Sequence, residues 1–386
     1  MITSRFHCLV AAALLLSACG DDDDGGPTGP VDEGRPPVAG CTDAPLPSGA
    51  LTRVCFPGNW NGDLVVFAHG YVSPEEPVVL PPDIVGGVPV STAVNALGYA
   101  YATTSYRANG LVADVAVQDL LDLQAEFRVR WQPDPARTFV VGASEGGLVA
   151  ALAVEQEPET YAGGLAACGP IGDFAFQLDY LADFRAVFDY FFPGVLPGSP
   201  VESPADLRKN WENVYVPAII DALTDDPGKT AQLLFVTNAP VDPLDISTVG
   251  ETVVGLLWYT AFGTEDAKAR LGGQPYDNST RVYQGSGNDA ALNAGIARYT
   301  ADPAARAAIG RFQTTGVLTR PLVTLHTTGD PIIPVAHQGI YAEKVANAGA
   351  EGFLDTTAPF DRYGHCTFQQ AELVAAFNSL VANATP

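Results

Sequence analysis

Basic side chains are scarce in this chain of 386 residues, which has 20 Lys and Arg against 44 Asp and Glu and a net charge of −24. Because phosphate groups are attracted by positive charge, so acidic a chain argues against nucleic acid or an anionic membrane surface as a partner. Hydrophobic residues, in contrast, make up 47% of the chain. They are enough for a sizeable core, in one large domain with an insertion or in two domains.

Long apolar runs are also lacking, because no run after the N-terminus is long and apolar enough for a transmembrane helix. At the N-terminus, Arg5 and His7 precede a short apolar run that ends in Leu-Ser-Ala-Cys19. This pattern resembles a bacterial lipoprotein signal with cleavage before Cys19. We therefore expect residues 1–18 to be removed, and Cys19 to carry a lipid that is the only membrane contact. The alternative is an ordinary secretory signal, and either signal predicts export to the bacterial cell envelope.

Residues 19–40 are acidic and poor in apolar side chains, with Asp21 to Asp24 followed mainly by Gly, Pro and Thr. Such a composition cannot bury enough surface to fold. We expect a disordered tether here, and a folded part that begins at Cys41.

Cysteine is rare as well. Of the six cysteines, Cys8 falls in the expected signal and Cys19 is the expected anchor. The others are Cys41, Cys55, Cys168 and Cys366. An even number in an oxidising compartment predicts two disulfides, for which three pairings exist, and a hairpin favours Cys41 with Cys55. No Cys-x-x-Cys spacing occurs, so we expect no metal site.

The most informative stretch starts at Thr138, where a β-branched run leads into Gly-Ala-Ser144-Glu-Gly-Gly and then into an Ala/Leu-rich helical pattern. A serine at so tight a turn projects its hydroxyl out of the sheet. Gly142 and Gly146 are expected because a Cβ there would collide with a neighbouring element. The N-terminus of the following helix points at the same place, where an oxyanion could be stabilised. No lysine is present in this turn, which argues against a phosphate-binding loop.

Strand and helix patterns alternate on both sides of this turn, which predicts a mostly parallel sheet with helices on both faces, the α/β class. The predicted strands are 51–56, 63–68, 99–106, 138–143, 161–168, 321–330 and 353–358. The predicted helices are 113–131, 336–348 and a last one from 363–366 to about 381. Between them the alternation stops, and helical stretches at 173–192, 204–223, 250–262 and 289–309 predict a helical insertion.

The chain thus resembles the α/β-hydrolase superfamily, in which the nucleophile, the acid and the base follow in that order along the chain. Asp330 follows an apolar strand, and His365 lies in a glycine-flanked loop after the last strand. The resemblance implies a hydrolase core of residues 41–172 and 320–386 with a mainly helical cap at 173–319. It implies Ser144 as nucleophile, Asp330 as acid and His365 as base.

Other residues could replace some of these. Asp355 and Asp361 are the alternatives for the acid. Among the other histidines, His326 is expected inside a strand and His337 at the start of a helix. In the superfamily a His-Gly pair such as His69-Gly70 shapes the oxyanion loop and does not act as the base.

The resemblance also implies the remaining parts of the site. The N–H groups of Tyr71 and Glu145 would form the oxyanion hole. Neighbouring strand ends would bring Cys168 and Cys366 together in a disulfide. Tannases and feruloyl esterases are similar in having a cysteine directly after the catalytic histidine, although their second cysteine precedes the serine, where this chain has Ala143.

These features predict an exported serine hydrolase that cleaves carboxylic esters, small or polymeric, through an acyl-enzyme and without a cofactor. A peptidase or amidase of prolyl-oligopeptidase or aminopeptidase type is the first alternative, because its triad is identical. A non-catalytic surface binding protein with the same fold is the second.

Overall fold

The computed structural model describes residues 37–384. The expectations for residues 1–18, for Cys19 and for the tether up to residue 36 therefore lie outside the described part. Within residues 37–384, none of the helices has the length and apolar character needed to cross a bilayer.

The strands are short and mostly buried. They are β1 (Gly40–Pro45), β2 (Leu51–Phe56), β3 (Leu64–Ala68), β4 (Ile84–Val85), β5 (Val88–Pro89), β6 (Ala100–Thr104), β7 (Thr138–Ala143), β8 (Gly163–Ala167), β9 (Leu322–Leu325), β10 (Thr327–Gly329), β11 (Leu354–Thr356) and β12 (Phe360–Tyr363).

The helices differ widely in length. They are α1 (Val90–Ala96), α2 (Ala113–Arg130), α3 (Glu145–Gln156), α4 (Phe174–Phe191), α5 (Ala205–Lys209), α6 (Val216–Asp225), α7 (Pro227–Thr237), α8 (Ser247–Leu271), α9 (Asp289–Gly295), α10 (Pro303–Ala308), α11 (Ala336–Asn347) and α12 (Gln370–Asn383).

In the described chain, eight strands form one sheet in the order β1-β2-β6-β3-β7-β8-β9-β11. Only β2 runs against the others, because it pairs antiparallel with both β1 and β6 while the remaining pairs are parallel. Every residue of β3 and β7 is buried, as expected for central parallel strands covered on both faces. The prediction of an α/β fold with a mostly parallel sheet is confirmed.

Helices cover both faces of this sheet. On one face α2, α3 and α11 contribute Leu120, Leu148 and Tyr341 to a shared core. On the other face α1 and α12 contribute Val94 and Phe377. The carboxyl ends of β3, β7 and β8 therefore open at one edge, where ligands of such sheets bind.

Between β8 and β9 the described chain contains helices α4 to α10 with their own apolar core, built largely from α4, α6, α7 and α8. Phe184, Phe188 and Leu257 are fully buried in it. Most aromatic residues of α4 thus pack within the insertion, as the helical pattern indicates.

Several predicted boundaries were wrong. The predicted strand 321–330 is broken at His326, because β9 stays in the main sheet while β10 pairs with β12 in a separate two-stranded sheet. The last helix begins at Gln370 and not at 363–366, since Gly364 (φ 109°) and Cys366 (φ 55°) have left-handed backbones that a helix cannot contain. The stretches 204–223 and 289–309 are each interrupted.

Candidate active site

Ser144 lies at the turn between β7 and α3, with φ 59° and ψ −131°. This conformation is strained for a residue with a Cβ, and such strain is concentrated at functional sites. The flanking glycines make the turn possible: a Cβ on Gly142 would lie 2.0 Å from the carbonyl oxygen of Gly146, and one on Gly146 would lie 2.0 Å from that of Ala68. Both glycines therefore have the packing role that the sequence indicates.

One hydrogen bond joins Ser144 to His365, and a second joins His365 to Asp330. The Nε2 atom of His365 lies 2.9 Å from Oγ of Ser144, and Nδ1 lies 2.7 Å from Oδ2 of Asp330. An imidazole that donates from Nδ1 to a carboxylate has its lone pair at Nε2, where it can accept the serine proton. The structure thus brings together all three residues that the resemblance implied.

The other oxygen of Asp330 fixes the carboxylate itself. Asp330 is 1% exposed, and its Oδ1 accepts hydrogen bonds from the amides of Ile332 (2.9 Å) and Ile333 (3.0 Å). Gln177 and Tyr180 of α4 donate to the next carbonyls, those of Ile332 and Pro331. The loop of residues 330–333, the acid loop, is therefore held from within and by the insertion. Neither Gln177 nor Tyr180 belongs to a motif that would have indicated this role.

The oxyanion loop runs past the serine directly after β3. A Cβ on Gly70 would lie 3.2 Å from Cβ and 3.6 Å from Oγ of Ser144, so the loop passes directly beside the serine. The next residue of the loop is Tyr71, one of the two expected amide donors. The other expected donor, Glu145, is the first residue of α3 and directly follows Ser144. Buried His69 stacks on Tyr106 with ring centroids 4.0 Å apart, and its Nδ1 lies 2.7 Å from the carbonyl oxygen of Gly70. Burial lowers the pKa of His69 to about 4, so this neutral imidazole shapes the loop.

Two carboxyl groups, of buried Glu145 and half-buried Asp266, bind the chain just before and at the start of α2. Glu145 Oε1 accepts hydrogen bonds from the amides of Val112 (2.9 Å) and Ala113 (3.3 Å) at the start of α2. Asp266 of α8 accepts from the Tyr71 hydroxyl (3.1 Å) and from the amide of Leu111 (2.7 Å). Burial raises both pKa values, that of Glu145 to about 8. The sequence assigned a role only to the backbone of Glu145 and none to Asp266.

The competing residues lie elsewhere. His326 is buried at the break between β9 and β10, and its Nδ1 bonds to Thr327. His337 lies at the start of α11, where Nδ1 accepts from the amide of Gly172 and Nε2 lies 3.0 Å from Gln177 Oε1; burial lowers its pKa to about 3. The alternatives for the acid bond to other groups: Asp355 to Ser379, and Asp361 to Thr328.

The described chain contains two disulfides, and both have the predicted pairing. Cys41 and Cys55 are opposite each other in the β1–β2 ladder. Cys168 directly follows β8 and is joined to Cys366, the residue after His365. Cys168, His365 and Cys366 also form the group of possible metal ligands within residues 37–384. Because the two sulfurs are bonded to each other, this group offers no thiolate to a metal.

Two cavities meet at Ser144 and His365. The inner cavity has a volume of about 130 Å³ and extends from Ser144, Tyr71 and Glu145 between α4 and α8. The outer cleft, of about 490 Å³, lies between His365 and Tyr363 on one side and Trp258 on the other. Tyr259 and Ile332 line both spaces. A carbonyl carbon at Ser144 could therefore place one substituent in each.

A sheet of this topology with a hydrogen-bonded serine, histidine and aspartate at its carboxyl edge defines a serine hydrolase of the α/β-hydrolase superfamily. Residues 93–183, which include Ser144, match the family model described as the prolyl oligopeptidase family. No curated protein matches the chain in sequence.

Solved structures with similar folds include both esterases and peptidases. An esterase of Pyrococcus furiosus is 13% identical, with 88% of this chain and 90% of that chain covered and a TM-score of 0.44. Feruloyl esterase B from Aspergillus oryzae is 15% identical, with 82% and 71% covered and a TM-score of 0.43. Acylaminoacyl peptidase of Pyrococcus horikoshii is 13% identical, with 88% of this chain but only 41% of that chain covered and a TM-score of 0.43. Likenesses this low carry no conclusion about the substrate.

Proposed function

We propose that this protein hydrolyses carboxylic esters through an acyl-enzyme on Ser144. The observation that carries the proposal is the series of hydrogen bonds from Asp330 through His365 to Ser144, with distances of 2.7 and 2.9 Å. This series ends at the junction of an apolar cavity and an open cleft. That is the arrangement needed to bind an ester on both sides of its carbonyl group.

The proposed reaction uses the three side chains in turn. His365 accepts the proton of Ser144 as Oγ attacks the ester carbonyl, and Asp330 stabilises the imidazolium that forms. The amides of Tyr71 and Glu145 donate hydrogen bonds to the oxyanion. His365 then protonates the departing alcohol, and water activated by the same histidine releases the acid from Ser144.

A peptidase is the second candidate, and the match to the prolyl oligopeptidase family supports it. An aminopeptidase, however, needs an anion to bind the ammonium group of its substrate. Among the described residues, the carboxyl groups that line the inner cavity are Glu145 and Asp266. Both accept backbone hydrogen bonds and both have pKa values raised by burial. This argues against an ammonium group in the inner cavity and hence against an aminopeptidase.

Labelling with a fluorophosphonate probe tests the proposed nucleophile. We expect one label per chain, on the peptide that contains Ser144, and none in Ser144→Ala. Ser73→Ala is a control, because this serine is also buried but its hydroxyl accepts a hydrogen bond from the amide of Glu75. Absence of a label on the folded protein would favour the non-catalytic binding protein.

Turnover of nitrophenyl esters and of aminoacyl anilides separates the first two candidates. We expect kcat/KM to be at least about 100-fold higher for the esters, allowing for their better leaving group. A reversed preference, with anilides cleaved faster, would establish the peptidase.

A further inference from the structure

The two spaces at Ser144 are not equivalent in the reaction. The leaving group must lie within reach of the histidine that protonates it, and His365 lines the outer cleft. The oxyanion donors Tyr71 and Glu145 instead line the inner cavity together with Ser144. An acyl group on Ser144 therefore extends into the inner cavity, while the alcohol faces the outer cleft.

The walls of the inner cavity set its length. Tyr259, Gly263 and Ala267 line it from one face of α8 at intervals of one helical turn. With a rise of 1.5 Å per residue, these positions span about 12 Å. An extended chain advances about 1.2 Å per backbone bond, so this length corresponds to about ten carbon atoms.

The second wall has the same character. Phe174, Leu178 and Leu181 of α4 face the cavity at helical intervals. Apolar side chains from two helices thus bound the cavity along its length. This suits an acyl chain that lies between the two helices.

We propose that the inner cavity is an acyl-chain site, and that the substrates are esters of aliphatic acids of up to about ten carbons. The inference rests on the proposed ester hydrolysis, because it assigns the acyl half of that substrate. Each methylene that enters the apolar cavity stabilises the complex, so kcat/KM should rise about threefold per carbon until the cavity is full.

Gly263 provides a direct test of the cavity. It lies in the middle of α8, and a Cβ there would have Tyr71 Oη, at 3.9 Å, as its nearest neighbour. A larger side chain therefore has room in the cavity itself. Gly263→Leu should obstruct the far half, and Ala269→Leu is the matched control because Ala269 is exposed on the same helix.

The experiment measures kcat/KM of the full chain for nitrophenyl esters from acetate to hexadecanoate. For the unsubstituted protein we expect a maximum near eight to ten carbons. The ratio of decanoate to acetate turnover should fall at least about tenfold in Gly263→Leu and stay unchanged in Ala269→Leu. Gly263→Ala should change the ratio in the same direction by a smaller factor, and it retains the helix even if the leucine variant does not fold.

Two outcomes would overturn the inference. One is an activity that does not depend on chain length, and the other is a Gly263 variant that slows all esters by the same factor. Both differ from failure of the proposed function, in which no ester is hydrolysed and Ser144 is not labelled.

Discussion

The two oxygens of the Asp330 carboxylate have separate tasks: Oδ2 bonds to His365, while Oδ1 accepts two amides of its own loop. In Asp330→Asn the amide oxygen can still accept those two hydrogen bonds, so the loop should keep its shape. The amide nitrogen, however, would favour the wrong imidazole tautomer. We expect kcat to fall by about 1,000- to 10,000-fold, with an unchanged circular dichroism spectrum.

Asp361→Asn is the control for this prediction, because Asp361 is an exposed carboxylate that bonds to Thr328. It should retain nearly full activity. If kcat fell in Asp361→Asn while Asp330→Asn remained active, Asp361 and not Asp330 would be the acid of the triad.

Glu145 makes stability depend on pH. Its pKa is raised to about 8 in the folded chain by burial, whereas an unfolded glutamate ionises near pH 4.3. Between these values the folded state holds a proton that the unfolded state has lost, so stability falls as the pH rises through this window. Glu145→Gln keeps an oxygen for the amides of Val112 and Ala113 but has no proton to lose.

The free energy of unfolding of Glu145→Gln minus that of the unsubstituted protein should therefore be a few kcal/mol larger at pH 8 than at pH 5. Urea unfolding at both pH values measures the difference. A difference between the two proteins that is independent of pH would contradict the raised pKa.

Among the elements, the loop that carries His365 depends on the disulfide between Cys168 and Cys366. This disulfide links β8 to the residue directly after the base, across 198 positions of the chain. Replacing both cysteines by serine should lower kcat at least about tenfold, because a freed loop holds the imidazole less accurately. It should also lower the free energy of unfolding by about 2–5 kcal/mol.

The pair Cys41→Ser with Cys55→Ser is the matched control. It opens a disulfide between adjacent strands at the edge of the sheet, with a sequence separation of only 14. We expect little change in kcat there. Equal losses in both double variants would show that the second disulfide has no special role at the site.

The regular strands and the turn at Ser144 could be predicted because local chemistry determines them. The run 138–143 and the glycines beside Ser144 have one reasonable structure. The order of Ser144, Asp330 and His365 was expected from the resemblance to the α/β-hydrolase superfamily. The sequence also indicated the partner of Cys41, since a short hairpin needs no information from distant residues.

The errors arose where distant contacts decide the structure. Nothing in the run 321–330 indicates that it divides at His326, because its last residues pair with β12, more than 30 positions later. The stretch 250–262 ends where the pattern turns polar, yet α8 continues to Leu271, since Ala267 and Leu271 pack against the hydrolase core. The roles of Gln177 and Asp266 are of the same kind: each bonds to a residue far away in the chain.

At the scale of the whole molecule, we propose that the chain is exported and held by a lipid on Cys19. The two disulfides fit an oxidising compartment. Cys19→Ser should move the enzyme from the membrane fraction to the supernatant without lowering its ester turnover. Metabolic labelling with a fatty acid should mark the unsubstituted protein alone. Equal release of both proteins would indicate an ordinary secretory signal.

The insertion is hydrogen-bonded to the acid loop through Gln177 and Tyr180 of α4, which donate to the carbonyls of Ile332 and Pro331. The insertion therefore helps to position Asp330 as well as lining the inner cavity. A chimera that joins another enzyme's insertion to this core would have a different cavity wall. It would also lose the two hydrogen bonds that hold the loop of Asp330. A replaced insertion should therefore support activity only if it supplies both of these donors to the acid loop.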